Sequence, residues 1–423
     1  MAAKAILALV LSTLCNLPHA AEDTAPASAN SRISAKLLRD KFDAGEYWSV
    51  GSDGLNYLKT DPGNHELRMQ VADSLAWTGR YAEAIIQYQM LESTRLSVSA
   101  MIGLANVYRW SGRPDIAGPL YRQALKTQSD NPDAIDGLNR VNRELRPGTI
   151  YTIGKNSDSL PVIQHSNVLA QHWRGDNLAL KYELAISTSR YTLSPVNTRQ
   201  TEVDFSVEHA DMPMAPKLAL SVQQGPITKA FGSLRLKLDN EPDLNVTIGH
   251  VNWGNMAYQP QALLEGLTAT QLGADGNLIT RIGTISAVYN AYQISDGNQI
   301  QDAILHFSPS WHPLGPDFRY FVGLSWHFAL RNVPTYWSPQ TGYLSADIGF
   351  SNEWSLPSGE YSIYAQRGFG IGGEALNSYN AGFAAKRYID RDWAAMLSAG
   401  LLKNQRIDAY HSKYLSLGAE RLW

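Results

Sequence analysis

Apolar and polar residues alternate with a period of two through most of the chain beyond Gly148. Leu178, Leu180, Tyr182, Leu184 and Ile186 alternate with Ala179, Lys181, Glu183 and Ala185. Val203, Phe205 and Val207 alternate with Glu202, Asp204, Ser206 and Glu208, and Leu234, Leu236 and Leu238 with Arg235, Lys237 and Asp239. This period predicts strands with one apolar and one polar face. A soluble sandwich turns the apolar face inward, whereas a membrane barrel turns it outward to lipid and keeps the polar face for a wet lumen. Alternation alone fits both. The last stretch, Tyr410 to Trp423, separates them better: Leu415, Leu417, Ala419 and Trp423 share a face opposite Ser416, Gly418 and Glu420, and the chain stops on an aromatic. A closing barrel strand that pairs with the first and ends in an interfacial girdle has this form. Arg421 interrupts the apolar face only near the end, where its long side chain can snorkel to headgroups.

Three further features favour the barrel. The periodic segments run longer than the ~5–6 residues of an average globular strand. Their apolar faces end in aromatics, at Tyr182, Tyr191, Trp253, Tyr289, Trp311, Tyr320, Trp326, Trp354, Tyr361, Tyr388 and Trp393, as girdles require. They follow one another through Asn, Asp, Gly and Pro turns with no helical interruption. The predicted strands are 149–157, 163–173, 178–190, 199–211, 216–226, 228–239, 244–254, 263–274, 278–291, 299–311, 318–331, 342–355, 360–371, 377–389, 393–404 and 410–423. That is about 16 strands, or 14 if the first two are discounted, and both counts are even as a single-chain barrel demands. A barrel of this size holds an aqueous channel unless something plugs it.

Before Gly148 the period is helical. Ala44-Gly45-Glu46-Tyr47, Thr78-Gly79-Arg80-Tyr81 and Ser111-Gly112-Arg113-Pro114 place glycines at 45, 79 and 112, a repeat of about one third of a hundred residues. Each glycine marks a turn between two helices, with Asp61-Pro62 and Asn131-Pro132 closing units. Gly79, Tyr81, Ala84 and Tyr88, and then Gly112, Ala117, Tyr121, Ala124 and Pro132, resemble the tetratricopeptide repeat. Pro114 and Pro119 depart from an ideal helix in the third unit. Residues 33–146 are thus expected to hold about three helix pairs and a capping helix from Pro132 to Arg146, an α-solenoid that serves as a scaffold or docks a protein partner. The fold class is α+β multidomain: a tetratricopeptide-like α-solenoid followed by a transmembrane antiparallel β-barrel at 148–423.

Composition adds a compartment. The chain has 423 residues, a net charge of −3, 11 Trp, 21 Tyr and a single Cys. Near-neutral charge argues against nucleic acid as a partner, and Trp and Tyr suit both membrane interfaces and sugar-stacking surfaces. Residues 1–20 resemble a secretory signal, with Lys4 ahead of the apolar run Ala5 to Leu14, and 21–32 read as a flexible arm. Cys15 lies in that leader after Leu14, a poor setting for lipid attachment. No segment offers ~18 consecutive apolar residues for a helical span. The outer membrane is then the expected site, with outer-membrane lipid around the barrel and the helices on the periplasmic side.

The order of leader, short helical repeat and barrel, with Tyr336-Trp337-Ser338-Pro339-Gln340 ahead of the strand near Gly342 and the run from Tyr388 to Trp423, resembles the outer-membrane exopolysaccharide exporters. The nearest likeness is to the cellulose synthase operon protein C family, with the poly-N-acetylglucosamine export porin more distant. Family members carry a long periplasmic superhelix; this chain has about three repeats. The resemblance implies a pore for a polysaccharide cargo. A receptor or structural barrel without transport, and a lipid-acting membrane enzyme, are the alternatives.

No catalytic constellation emerges. His165-Ser166 and His411-Ser412 are strand neighbours that point to opposite faces. Gly368-Phe369-Gly370-Ile371-Gly372-Gly373 lacks the following helix and acidic partner of a nucleotide loop and reads as a strand-edge turn with close backbone approach. Asp275-Gly276-Asn277, Asp296-Gly297-Asn298 and Asp390-Arg391-Asp392 read as turns. No cofactor or metal is expected. Glu183, Glu202, Asp204, Gln223 and Asp239, facing a pore, would exchange hydrogen bonds with a hydroxyl-rich polymer or simply hold water. Tyr336 and Trp337, in a loop stiffened by Pro334 and Pro339, are the candidates for stacking on sugar rings at the mouth, or for a girdle pair at the headgroups.

Overall fold

A computed structural model describes residues 33–159, 162–193, 196–225, 227–240, 243–254, 260–310, 318–403 and 410–423. The expected leader and arm, Trp311, and the side chain of Asp239 lie outside the described ones.

Among the described residues seven helices come first: α1 (Ala35–Asp43), α2 (Tyr47–Leu58), α3 (His65–Trp77), α4 (Tyr81–Gln89), α5 (Ser97–Trp110), α6 (Pro114–Thr127) and α7 (Pro132–Leu145). The three marker glycines end α1, α3 and α5 with φ of 79°, 80° and 81°, a left-handed conformation that glycine adopts without steric cost. Behind each, the same bond closes the turn: Glu46 N to Lys41 O, Arg80 N to Leu75 O and Arg113 N to Tyr108 O, at 2.9, 2.9 and 2.8 Å. Side-chain packing repeats as well. The Tyr88 hydroxyl donates to Asp73 at 2.7 Å and the Tyr121 hydroxyl to Asn106 at 2.5 Å. Each ring covers a glycine of the following helix, Gly103 or Gly137, where a Cβ would sit only 2.4 Å from it. Pro114 occupies the first turn of α6, where its missing N–H costs nothing, and Pro119 does not end that helix.

Sixteen antiparallel strands then close into a barrel, each bonded to its sequence neighbours and β1 to β16. They are β1 (Gly148–Asp158), β2 (Ile163–Arg174), β3 (Leu180–Leu193), β4 (Val196–His209), β5 (Lys217–Gln224), β6 (Lys229–Asn240), β7 (Asp243–Asn252) and β8 (Thr268–Thr280). The second half comprises β9 (Gly283–Ile294), β10 (Gln299–Pro309), β11 (Tyr320–Ala329), β12 (Tyr343–Leu356), β13 (Gly359–Gly373), β14 (Ser378–Tyr388), β15 (Trp393–Lys403) and β16 (His411–Leu422). The closing seam runs from Gly148 opposite Leu422 to Asp158 opposite Ser412.

Register sets the faces. Tyr151, Leu169, Ile186, Val203, Leu220, Ile248, Leu272, Leu324, Ile348, Phe383, Leu397 and Leu417 are exposed on the outer wall, while their polar neighbours look inward. An outer wall this apolar belongs in a bilayer, not in water. Leu415, Leu417 and Ala419 face outward as their alternation predicts, and the Arg421 guanidinium lies over Trp393 and Trp423, 5.5 and 4.3 Å from the ring centres.

Three differences from the sequence reading stand out. First, the strand predicted at 263–274 begins and ends later: residues Pro260–Leu264 form a short helix, α8, and β8 continues to Thr280. Asp275-Gly276-Asn277 is therefore mid-strand, with Asp275 accepting from Arg235 at 2.7 Å and Asn245 at 3.2 Å. A polar triplet signals a turn in most proteins, but a wet lumen tolerates it inside a strand. Second, Tyr191, Trp253 and Tyr388 do not belong to the outer girdle: register places Tyr191 and Tyr388 on the inner side and Trp253, just past β7, is buried in a core with Tyr336, whereas Tyr182, Tyr289, Tyr320, Trp326, Trp354, Tyr361 and Trp393 do face outward. Third, Gly368 to Gly373 forms the end of β13, and a bulge there leaves Ile371 unpaired opposite Leu344 and Ser345 of β12. By contrast, Asp296-Gly297-Asn298 and Asp390-Arg391-Asp392 do sit in the β9–β10 and β14–β15 turns.

Candidate functional site

The functional space is the lumen and its two mouths: a near rim, where the chain arrives from α7, and a far rim. The inner wall of β3 to β5 carries the predicted carboxylates. Glu183 meets Lys181 at 2.8 Å and Lys217 at 3.6 Å, and accepts from Ser206 at 3.3 Å. Glu202 accepts from Ser221 at 2.7 Å and Gln200 at 3.4 Å. Asp204 lies opposite Ser221 on the same face. Gln223 is buried and accepts from Asn252. Asp239 follows a register shift in β6. Around the ring, Arg235 pairs with Asp275, Lys237 with Asp243 and Lys386 with Glu420, at 2.7, 3.1 and 2.7 Å. The wall thus interleaves both signs of charge with hydroxyls and amides. Among the described residues it offers many donors and acceptors without a ring of one sign.

At the far rim, loops fold inward. Trp253, just past β7, and Ala269, Tyr292, Ile294, Ile300 and Ala329, on the inner face of β8 to β11, form a small core with Ala262 of α8, Leu267 and Tyr336 of the β11–β12 loop. The Lys229 ammonium donates to the Gly266 carbonyl, which ties the β7–β8 loop to β6. Tyr336 is only 2 % exposed. Its ring stands edge-on to Trp253 at 5.5 Å, and its hydroxyl donates to Asp296 at 2.8 Å and accepts from Asn298 at 3.0 Å. Burial, with Asp296 nearby, pushes the phenol well above its ordinary range. Tyr336 is therefore a bolt inside a loop shelf, a correction to the exposed, sugar-stacking position expected for it. Nothing in the alternating pattern signals this, because the contact joins three loops distant in sequence. The aromatic-rich loop ends were the one available clue.

Trp337 sits differently. Half-buried, it stacks on His327 at 4.2 Å and 7° and stands edge-on to Tyr343 at 5.5 Å. His327 bonds Asp302 through Nδ1, and both lie on the inner face of β10 and β11. Below them Asp347 accepts from Ser325 and Ser345 at 2.5 and 2.9 Å, and His306 stacks on Phe321 at 4.2 Å. The sequence names Trp337 as a candidate but gives no sign of His327, on which it stacks, or of Asp302 and Asp347 along the same inner face. The structure separates Tyr336 and Trp337, sequence neighbours, into a shelf core and a lumen-side platform, far from Glu183, Glu202 and Asp204 on another sector of the wall. His165 and His411 face outward and Ser166 and Ser412 inward, so neither pair meets. Among the described residues no group of His, Cys, Asp and Glu could hold a metal ion.

At the near rim the helices lie against the barrel. Arg140 donates to the Ser355 carbonyl at 3.2 Å, and Arg143 to the Asp390 carbonyl at 2.6 Å while its guanidinium covers Tyr388 at 3.9 Å. Arg146 bonds Asp392 and the carbonyls of Arg391, Leu422 and Trp423, at 2.6, 3.1, 3.1 and 2.9 Å.

No family model and no curated protein matches the chain. Among solved structures, a bacterial polysaccharide outer membrane secretin superposes with a TM-score of 0.49 at 10 % identity, over 65 % of this chain and 98 % of that one. The outer membrane protein OprD of Pseudomonas aeruginosa gives 0.36 at 6 %, over 66 % and 94 %. OprB of Pseudomonas putida gives 0.34 at 7 %, over 69 % and 97 %. The barrel and its faces stand on the chain's own pairing and register.

Proposed function

We propose that the protein is an outer-membrane pore for export of an exopolysaccharide, with helices α1 to α7 in the periplasm as a tetratricopeptide-like scaffold or docking site for a protein partner. The observation that carries this reading is the inner wall: a polar face of mixed charge and hydroxyls running along the barrel, met at the far mouth by the Trp337 platform. A neutral or weakly charged polymer of hydroxyls finds exchangeable hydrogen bonds on such a wall and no strong electrostatic trap, and an indole gives its rings a flat apolar surface. The resemblance to the cellulose synthase operon protein C family supports the same cargo class. Tyr336 no longer counts among the cargo contacts; Trp337, Glu183, Glu202 and Asp204 do.

The test is Trp337→Ala beside Trp337→Phe in cells that secrete the polymer, with heat-modifiable gel mobility as the measure of folded barrel. Secretion should fall severalfold in the first and stay near wild type in the second. Unchanged secretion by Trp337→Ala at wild-type levels of folded protein would refute the platform.

A second reading, a receptor or structural barrel without transport, draws on the inward-folded shelf of the far rim. Polymer secretion unaffected by loss of the whole protein would favour it. A lipid-acting enzyme needs His, Ser and acid on the outer wall, and the Asp302–His327 pair faces the lumen instead.

A further inference from the structure

We propose that the helical domain is a hinged lid that closes the near mouth of the barrel. The argument is topological. In a closed ring of sixteen strands, two turns eight strands apart stand across the mouth from one another. Arg113, which leads into α6, pairs with Asp211 in the β4–β5 turn. Arg140 of α7 bonds Ser355 ahead of the β12–β13 turn. Those two turns are eight strands apart. The same holds for a second pair of contacts: a Cβ at Gly79 would touch Ile279, beside the β8–β9 turn, at 3.7 Å, while Arg146 holds the β16 end at Leu422 and Trp423, next to the start of β1. One packed body that reaches the rim at both ends of two crossing diameters lies over the opening between them.

The contacts divide into a hinge and a latch. Arg146 and Pro147 lead directly into β1, and the cluster of Arg146 bonds to Arg391, Asp392, Leu422 and Trp423 sits at this covalent junction, so it stays in place as the lid swings. The Arg113–Asp211 pair lies far from the junction and must part first. Little of the described contact is apolar: apart from Gly79 beside Ile279, the bonds to the rim are charged or carbonyl-directed, and the two helical cores, around Leu75 and around Tyr121, contain residues of the helical domain alone. Partly exposed pairs of this kind hold little free energy each, and polar interfaces between domains are the ones that open. The helices keep their own cores whether the lid is shut or not. A lid of this construction admits cargo only when displaced, and it holds whatever solute the pore carries.

The experiment uses the full mature chain in planar bilayers with potassium chloride as the probe. In a Cys15→Ser background, which removes the one native thiol, Arg113→Cys with Asp211→Cys is joined by a reducible bis-maleimide. The cross-linked channel should pass a small current that rises severalfold when the linker is cleaved in the same bilayer. Arg113→Asp alone should open the channel, and adding Asp211→Arg should return the current toward wild type. Equal currents before and after cleavage, or an Arg113→Asp current equal to wild type in a channel whose barrel shows normal heat-modifiable mobility, would overturn the lid.

Discussion

The helical domain and the barrel use the same apolar residues in opposite ways. Leu67, Val71, Leu75 and Leu91 are fully enclosed among helices, whereas Leu220, Ile248, Leu272 and Leu417 stand about half exposed on the outside of the barrel, at 50 %, 56 %, 54 % and 46 %. The first set is shielded from water by protein, the second by lipid. The periodicity of the segment decides which: a stripe at helical spacing can be covered by a neighbouring helix, but sixteen strands bonded edge to edge have no second layer to cover their outer face.

The comparison breaks most visibly on truncation. Leu75→Ala should cost about 3–5 kcal/mol of helical-domain stability, because a cavity remains between α3 and its neighbours. Leu417→Ala should cost only about 1–2 kcal/mol, the transfer of the lost carbons, since lipid chains fill the gap. Thermal loss of the helical far-UV signal and heat-modifiable mobility measure the two; equal costs would mean that the outer wall packs against protein.

A smaller effect comes from Asp73, a carboxylate that the helical domain buries without a cation beside it. Burial pushes Asp73 up to about 6, partly opposed by the hydrogen bond from Tyr88. An acid whose folded pKa is raised favours the folded state below its unfolded value, and that advantage is lost as pH rises through the folded one. The helical domain should therefore weaken between about pH 4 and pH 6 on this account, and Asp73→Asn, which keeps an acceptor for Tyr88, should remove the slope. The gain expected above pH 6 is about 1–3 kcal/mol. A melt series over pH that leaves the slope intact would assign it elsewhere.

The smallest prediction sharpens the contrast at the far rim, where the barrel buries a cluster of apolar groups inside itself. Tyr336→Phe keeps the ring against Trp253 and removes the bonds to Asp296 and Asn298, which should loosen the shelf by about 1 kcal/mol. Faster protease cleavage in the loops, with the barrel intact and Trp337-dependent secretion preserved, is the expected outcome. Lost secretion would tie the shelf to the platform.

Much of this architecture is legible in the residue order. The three glycines at helix ends, the alternation that sorts Leu417 outward and Glu420 inward, and the sixteen strands in succession all rest on contacts between neighbours in sequence, where local period and turn chemistry suffice. β8 is the exception that shows the limit, since Asp275-Gly276-Asn277 has the composition of a turn and only pairing with β7 and β9 makes it wall. The site was harder. Tyr336 and Trp337 are adjacent and similar in the sequence, yet one is locked under Trp253 and the other stacks on His327. The docking of Arg113 on Asp211 and of Arg140 on Ser355 joins residues about one hundred and more than two hundred positions apart. Sequence by itself determined the elements, their order and their faces, because period and turn chemistry act over a few residues. Closure of the ring alone decided which loops meet above the lumen and that the helices cross its near mouth, because only closure brings turns from opposite sides of the barrel within reach of one small domain.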